Sequence, residues 1–220
     1  NILIGLTVFS IGMFKKIILA DNLAAIADPI FLSLGSGELP STISAWIGLT
    51  AFSFQIYFDF SGYSDMAIGL ALCFGIALPD NFLSPYKSIS LQSFWRHWHI
   101  TLSRFLRDHI YIALGGNRKR KSSTIFNISI TMILGGLWHG ASWNFILWGA
   151  YHATLLIIEK YILISKISNS SIMHKIIFIP IIFILVTIGW IPFRCPDFQS
   201  TLIMFKVLSG QNGNHLANNQ

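Results

Sequence analysis

Two Trp-His doublets, Trp98-His99 and Trp138-His139, carry the side chains best suited to moving a proton near neutral pH. The second doublet sits in TIFNISITMILGGLWHGASW, from Thr124 to Trp143. That stretch has no Asp, Glu, Lys or Arg, and His139 is its one titratable group. An imidazole placed in lipid without a partner or cavity is costly, so an ionisable group at that depth marks a functional position. The competing reading, a hydrogen-bonded structural histidine, fits position alone equally well.

The remaining groups narrow the chemistry. His97 and His99 are two apart, about 200° around a helix, which argues against a metal site built on that pair. The chain has no GxSxG, HExxH, CxxC pair or phosphate loop. No metal set is assigned. Cys73 and Cys195 make neither a disulfide framework nor a metal quartet, and read as small packing residues. Gly135, Gly136 and Gly140 flank the second doublet and let a backbone or an acyl chain approach closely, though close helix packing uses the same residues. His109 and His152 rank below His139.

These groups must be positioned by an apolar frame. Of 220 residues, 53% are hydrophobic and 11% charged, with a mean hydropathy of +0.61. A soluble domain carries roughly 25% charged residues, so the composition is that of a membrane protein. Net charge is +6, with the densest basic run at Arg118-Lys119-Arg120-Lys121 between apolar stretches. The positive-inside bias reads that run as a cytoplasmic loop, with anionic lipid head groups as a second use and nucleic acid excluded. The chain begins at Asn1, already in an apolar run and without an initiator Met, and so reads as part of a longer multispanning protein.

A helix needs roughly 20 apolar residues to cross the hydrocarbon core. Spans are expected at Ile2–Ala20, Thr42–Phe58, Thr124–Trp143, Asn144–Ile164 and Ile176–Phe193. Between the first two, Asp21-Asn22 opens a polar, loop-like region, a helix continues to Pro29, and residues Leu34 to Ser41 form a loop. Asp59 to Asp65 reads as a polar turn, with Ser64 capping a short helix over Met66–Leu78. From Ser90 to Ile110, apolar residues at Leu91, Phe94, Trp95, Trp98, Leu102, Phe105 and Leu106 mark one amphipathic helix, with Arg96, Ser103 and Arg107 on its polar flank. Trp143-Asn144 is a kink or a hairpin tip. Ser165–Lys175 is a polar linker, Phe198–Leu208 a short amphipathic helix, and the Asn- and Gly-rich tail from Ser209 is disordered.

The strings FWRHWHITLSRFLRDHIYIALGG and ILGGLWHGASWNFILWGAYH closely resemble the membrane-bound O-acyltransferase family, and within it the bacterial branch typified by the alginate O-acetyltransferase membrane subunit. GMFKKIILAD, IYFDFSGYSDMAIGLALCFGI and GWIPFRCPD extend the resemblance in the right order to about Phe205. The fold it implies is an all-α polytopic membrane protein, with transmembrane helices plus amphipathic or re-entrant helices around a buried tunnel. Residues 1–208 are then the C-terminal part of the family domain, lacking its N-terminal spans, and 209–220 a tail.

The activity it implies is acyl transfer from a thioester donor, acetyl-CoA or an acyl carrier, to hydroxyls of an exported polysaccharide such as alginate, at the bacterial cytoplasmic membrane. No cofactor is expected to be bound. Membrane lipids and accessory acetylation or secretion proteins are the expected partners. The family's near-invariant histidine falls on His139, and its second histidine on His99. With these as catalytic, Trp138, Trp98, Asp65, Arg96 and Asn144 form the expected substrate-binding set, although packing accounts for any single tryptophan.

The chemistry is consistent. An alcohol is a poor nucleophile at neutral pH, and a neutral imidazole in hydrogen-bond reach can take its proton as it attacks a thioester carbonyl. Burial disfavours imidazolium and keeps such a base unprotonated. A covalent acyl-histidine is the other route. D-alanyl transfer to teichoic acid or protein acylation is the nearer alternative activity, and a transporter or a structural membrane subunit the alternative class. Both histidines are expected to line one cavity, His139 deeper and His99 nearer a cytoplasmic mouth.

Overall fold

The computed structural model describes residues 1–36, 39–118, 120–163 and 172–211. The chain divides into two compact units, one of residues 1–79 with 190–220, the other of residues 80–189. Among the described residues, the regular structure is helical throughout.

In the first unit, α1 (Ile2–Phe14) passes through a π-helical turn (Lys15–Ala20) directly into α2 (Asp21–Ser36). Asp21-Asn22 is therefore helical, not the expected loop. Its polar side chains are absorbed locally: Lys16 Nζ meets Asp21 Oδ1 at 2.7 Å, and Asn22 Nδ2 donates to the Ile18 carbonyl. Helix α2 also runs past Pro29 to Ser36, shortening the expected loop; residues 37–38 lie outside the described residues.

Helix α3 (Thr42–Cys73) corrects a second expectation, because the Asp59–Asp65 stretch lies inside it. Ser64 is a buried mid-helix residue, and the N-cap is Ser41, whose hydroxyl accepts the Ser44 amide. The reason is tertiary. Lys15 Nζ pairs with Asp65 Oδ2 at 2.5 Å and Lys16 Nζ with Asp59 Oδ1 at 2.7 Å. Glycines set the distance between the two helices. A Cβ on Gly5 would stand 2.5 Å from the Gly69 carbonyl oxygen, and one on Gly12 would stand 2.5 Å from that of Gly62. Two glycine rungs seven residues apart on each helix allow backbone contact there.

The first unit is completed by the end of α8 (Ile172–Arg194) and by α9 (Phe198–Leu208). Arg194 pairs with Asp28 at 2.7 Å and lies over the rings of Phe31 and Phe52. Helix α9 has the expected bounds, capped by Asp197 Oδ1 accepting the Ser200 amide. Thr42 Oγ1 donates to the Val207 carbonyl and ties it to the start of α3.

In the second unit, a single turn at Pro85–Lys87 precedes α4 (Leu91–His97) and α5 (Ile100–Leu106), which continues into a π-helical turn (Arg107–Tyr111). The expected amphipathic helix over Ser90–Ile110 is thus broken at Trp98-His99, where His99 has φ 43°. Then α6 (Lys121–His139) and α7 (Trp143–Ile158) form a hairpin whose tip is Gly140–Ser142, and α7 continues into a π-helical turn (Glu159–Leu163). An added Cβ at Gly136 would overlap the Phe145 carbonyl oxygen, and one at Gly149 would stand 2.5 Å from that of Met132.

Two described helices are long and apolar enough to cross a membrane, Ile2–Gly35 and Ile172–Arg194. Of the expected linker, residues 165–171 lie outside the described residues, while Ile172–Lys175 begins α8. Residues 212–220 of the expected disordered tail also lie outside them.

Candidate active site

His139 is the last residue of α6 and Trp143 the first of α7, so the hairpin tip follows the imidazole at once. Helix α7 therefore returns alongside it. The His139 ring lies 5.5 Å from Trp148 and 6.0 Å from Phe145, centroid to centroid, and 4.9 Å from its neighbour Trp138. Ser142 caps α7 by accepting the Asn144 amide, which fixes where that helix starts.

His99 is held differently. It occupies the left-handed conformation between α4 and α5, uncommon for a residue with a Cβ and costing about 1 kcal/mol or more unless its surroundings support it. The support is the segment after α3. Asn81 O accepts the Ile100 amide at 3.0 Å, and Leu83 N donates to the His97 carbonyl at 3.0 Å. The Asn81 side chain completes the clamp: its Oδ1 lies 3.1 Å from His99 Nδ1 and accepts from the Thr101 amide and hydroxyl. Phe82 packs edge-on to Trp98 at 5.1 Å and stacks at 6.5 Å on His99.

The two doublets come together. The His99 and Trp138 rings are 5.9 Å apart, edge to face. The series continues inward as an alternation of imidazoles and indoles: His99, Trp138, His139, Trp148, His152, Trp95. Its last two steps are 5.0 Å and 5.1 Å. His152 is fully buried, and a Cβ on Gly189 would stand 2.7 Å from its Nε2, so α8 needs glycine there. His99 lies outside the two membrane-length helices, and burial lowers its pKa to about 4, with the positive charge of a protonated His139 acting in the same direction. The ring is neutral at physiological pH.

The expected binding residues fare unequally. Trp138 is 61% exposed and borders both catalytic candidates, while Trp98 is 4% exposed and packs among Phe82, Tyr86 and Phe94. Asn144 is buried in the first turn of α7. Arg96 is exposed on α4. Asp65 belongs to the first unit, where it is paired with Lys15.

Sequence reasoning did not single out Asn81, Trp148 or the structural use of Glu159. Glu159 is 4% exposed, and its carboxylate accepts the backbone amides of Leu91 and Gln92, holding the start of α4 against the end of α7. Its position one residue beyond α7 and before Lys160 suggested only a helix end. The partner amides, 67 and 68 positions away, leave no local signal.

The profile of the membrane-bound O-acyltransferase family matches residues 1–196. The chain is 45% identical to the peptidoglycan O-acetyltransferase of Helicobacter pylori, over 97% of this chain and 40% of that protein. It is 47% identical to the protein described as probable alginate O-acetylase in Azotobacter vinelandii, over 93% of this chain and 40% of the relative. The teichoic acid D-alanyltransferase of Streptococcus thermophilus is 36% identical over 49% of this chain and 28% of its own length. The chain thus spans about two fifths of the length of the O-acetylating relatives.

Proposed function

The chain belongs to the membrane-bound O-acyltransferase family, and from that membership we propose that the protein of which it is part transfers an acetyl group from a thioester donor to hydroxyls of an exported glycan. The observation that carries this reading is His139 at the tip of the α6–α7 hairpin, bordered by Trp138 and Trp148, with His99 on the other side of Trp138.

In this mechanism His139 takes the proton of the acceptor hydroxyl as its oxygen attacks the thioester carbonyl. The carbonyl carbon keeps the new ester bond, the carbon–sulfur bond breaks, and the leaving thiolate takes the proton back from the His139 imidazolium, which restores the neutral base. Apolar surroundings keep the base neutral before the reaction and exclude water, which would otherwise compete as acceptor. Trp138, Trp98, Arg96 and Asn144 are the proposed substrate-binding residues of the second unit; for Asp65, which is paired with Lys15 within the first unit, a binding role is a separate proposal. The donor is acetyl-CoA or an acyl carrier, used as a substrate and not kept as a cofactor. A tunnel through a multi-pass bundle in the bacterial cytoplasmic membrane brings it to His139. Accessory acetylation and secretion proteins then handle the glycan.

Alginate and peptidoglycan are both acceptors named for relatives that match over more than nine tenths of this chain. D-alanyl transfer is favoured less, because that relative matches only about half of it. Cells carrying the full-length protein, or its His139→Ala variant, distinguish the readings when ester-linked acetate and D-alanine are released from the exported glycans by mild alkali. Acetate is expected with the parent and to fall at least about a hundredfold in the variant, within the usual range for a lost general base. Unchanged acetate in a variant that inserts normally would remove His139 from the chemistry.

The positive-inside bias of the basic run from Arg118 to Lys121 supports a cytoplasmic position for the segment that precedes α6. Ser122, exposed at the start of α6, is the position to probe. A Ser122→Cys protein should resist an impermeant thiol reagent in intact cells and react after permeabilisation. Labelling from outside would invert the topology.

A further inference from the structure

The Asn81 clamp determines which nitrogen of His99 carries the proton. Neutral imidazole donates through one nitrogen and accepts through the other, and the choice follows from the partner that the first one meets. Here the partner is an oxygen. The Asn81 carboxamide could in principle be turned either way, but the Thr101 backbone amide, always a donor, lies 3.2 Å from the atom in question. An NH2 group in that place would oppose donor to donor, so the atom is Oδ1. His99 Nδ1 is 3.1 Å from the same oxygen, where a lone pair would face a lone pair. The Thr101 hydroxyl offers a competing arrangement, donation to Nδ1. It stands 3.0 Å from Asn81 Oδ1 and 3.5 Å from Nδ1, so the oxygen takes its hydrogen.

We infer that Asn81 is a positioning residue that holds neutral His99 as the Nδ1–H tautomer, making Nε2 the hydrogen-bond acceptor through which His99 acts on substrate. This inference rests on the acyl-transfer reading above and sharpens it. With Nδ1–H engaged by Asn81, His99 has no second N–H to give. It therefore does not stabilise the oxyanion of a tetrahedral intermediate; it receives a hydrogen bond from a substrate hydroxyl, amide or thiol and orients that group toward His139. The same carboxamide, with the Asn81 carbonyl accepting from Ile100, supports the left-handed turn that aims the ring. Orientation and tautomer thus share one residue.

The test is nitrogen NMR of the full-length protein in lipid bilayers, labelled with 15N-histidine. The His99 signals are those lost in His99→Gln. At neutral pH the parent should show a protonated, pyrrole-like Nδ1 and an unprotonated, pyridine-like Nε2. Asn81→Ala should abolish that preference and lower acetate transfer at least tenfold. Thr101→Val removes the competing hydroxyl but keeps the backbone donor, and should retain the parent tautomer. A protonated Nε2 in the parent, an unchanged tautomer in Asn81→Ala, or a switched tautomer with undiminished transfer would each overturn the inference. If the parent transfers no acetate at all, the acyl-transfer reading falls, and the NMR comparison still decides the tautomer.

Discussion

In the unit built from residues 1–79 and 190–220, charges meet charges. Lys15 faces Asp65, Lys16 bridges Asp21 and Asp59, and Arg194 reaches Asp28. In the unit of residues 80–189, the buried ionisable groups meet rings and backbone amides instead. His152 sits among Trp95, Trp148 and Tyr151, and Glu159 holds two helix-start amides. A paired charge in an apolar setting is neutralised and has little left to do except fix two helices together. An imidazole set among aromatic rings is not part of an ion pair, and imidazole is the side chain suited to proton transfer near neutral pH. The proposed function draws its chemistry from the second unit and leaves the first as scaffold, a division that can be broken at three points.

The largest expected effect is at the α6–α7 crossing that presents His139. Gly136→Ala places a methyl against the Phe145 carbonyl, and backbone on both sides cannot turn away as a side chain could. Separating the two helices there should cost about 3 kcal/mol, the upper part of the usual range for overpacking. The full-length variant should lose several degrees of thermal stability in detergent, and its acetate transfer with them. A variant as stable as the parent would mean the hairpin is looser than its glycines imply.

Next is Glu159→Gln. The amide can still accept through one oxygen, but it surrenders the charge and turns an NH2 toward one of two backbone donors. The loss should be about 1–2 kcal/mol, that of a charge-assisted bond exchanged for an unsatisfied donor. Faster amide hydrogen exchange at Leu91 and Gln92 would locate it, and unchanged exchange would show that Ser90, which accepts the Ser93 amide, caps α4 unaided.

These sites also mark the limits of what the sequence reveals. The bounds of α9 were legible because its cap, Asp197, and its apolar spacing are both local. The break between α6 and α7 was legible only approximately: a kink or tip was expected at Trp143-Asn144, but both residues lie in the first turn of α7 and the tip is Gly140–Ser142, where Ser142 caps the returning helix. The continuity of α3 was not. Read alone, Asp59 and Asp65 in a polar string signal a turn, and only Lys15 and Lys16, more than forty positions earlier, make them tolerable inside a helix. The break at His99 was hidden for the same reason, since apolar spacing runs unbroken across it while its cause, Asn81, lies 18 residues upstream. The two catalytic candidates came from their residue types and strings, but the residues that position them came from distant pairings.

The smallest expected effect tests the comparison at its weakest point, because Asp65 belongs to the scaffold by its pairing and to the proposed binding set by its position in the GYSDM string. Lys15→Met leaves Asp65 without its ammonium partner. Both side chains are about a quarter exposed, so the penalty should be modest, about 1 kcal/mol. Asp65→Leu leaves Lys15 in the mirror situation at a similar cost. In the double variant both charges are gone and an apolar contact replaces them, so a pair that only fastens α1 to α3 should recover most of the lost stability. Acetate transfer then separates the roles. If the double variant regains both accumulation and transfer, Asp65 is a scaffold residue and the division between the units stands. If it accumulates like the parent but transfers poorly, Asp65 acts on substrate, and the first unit contributes to the chemistry that the contrast reserves for the second.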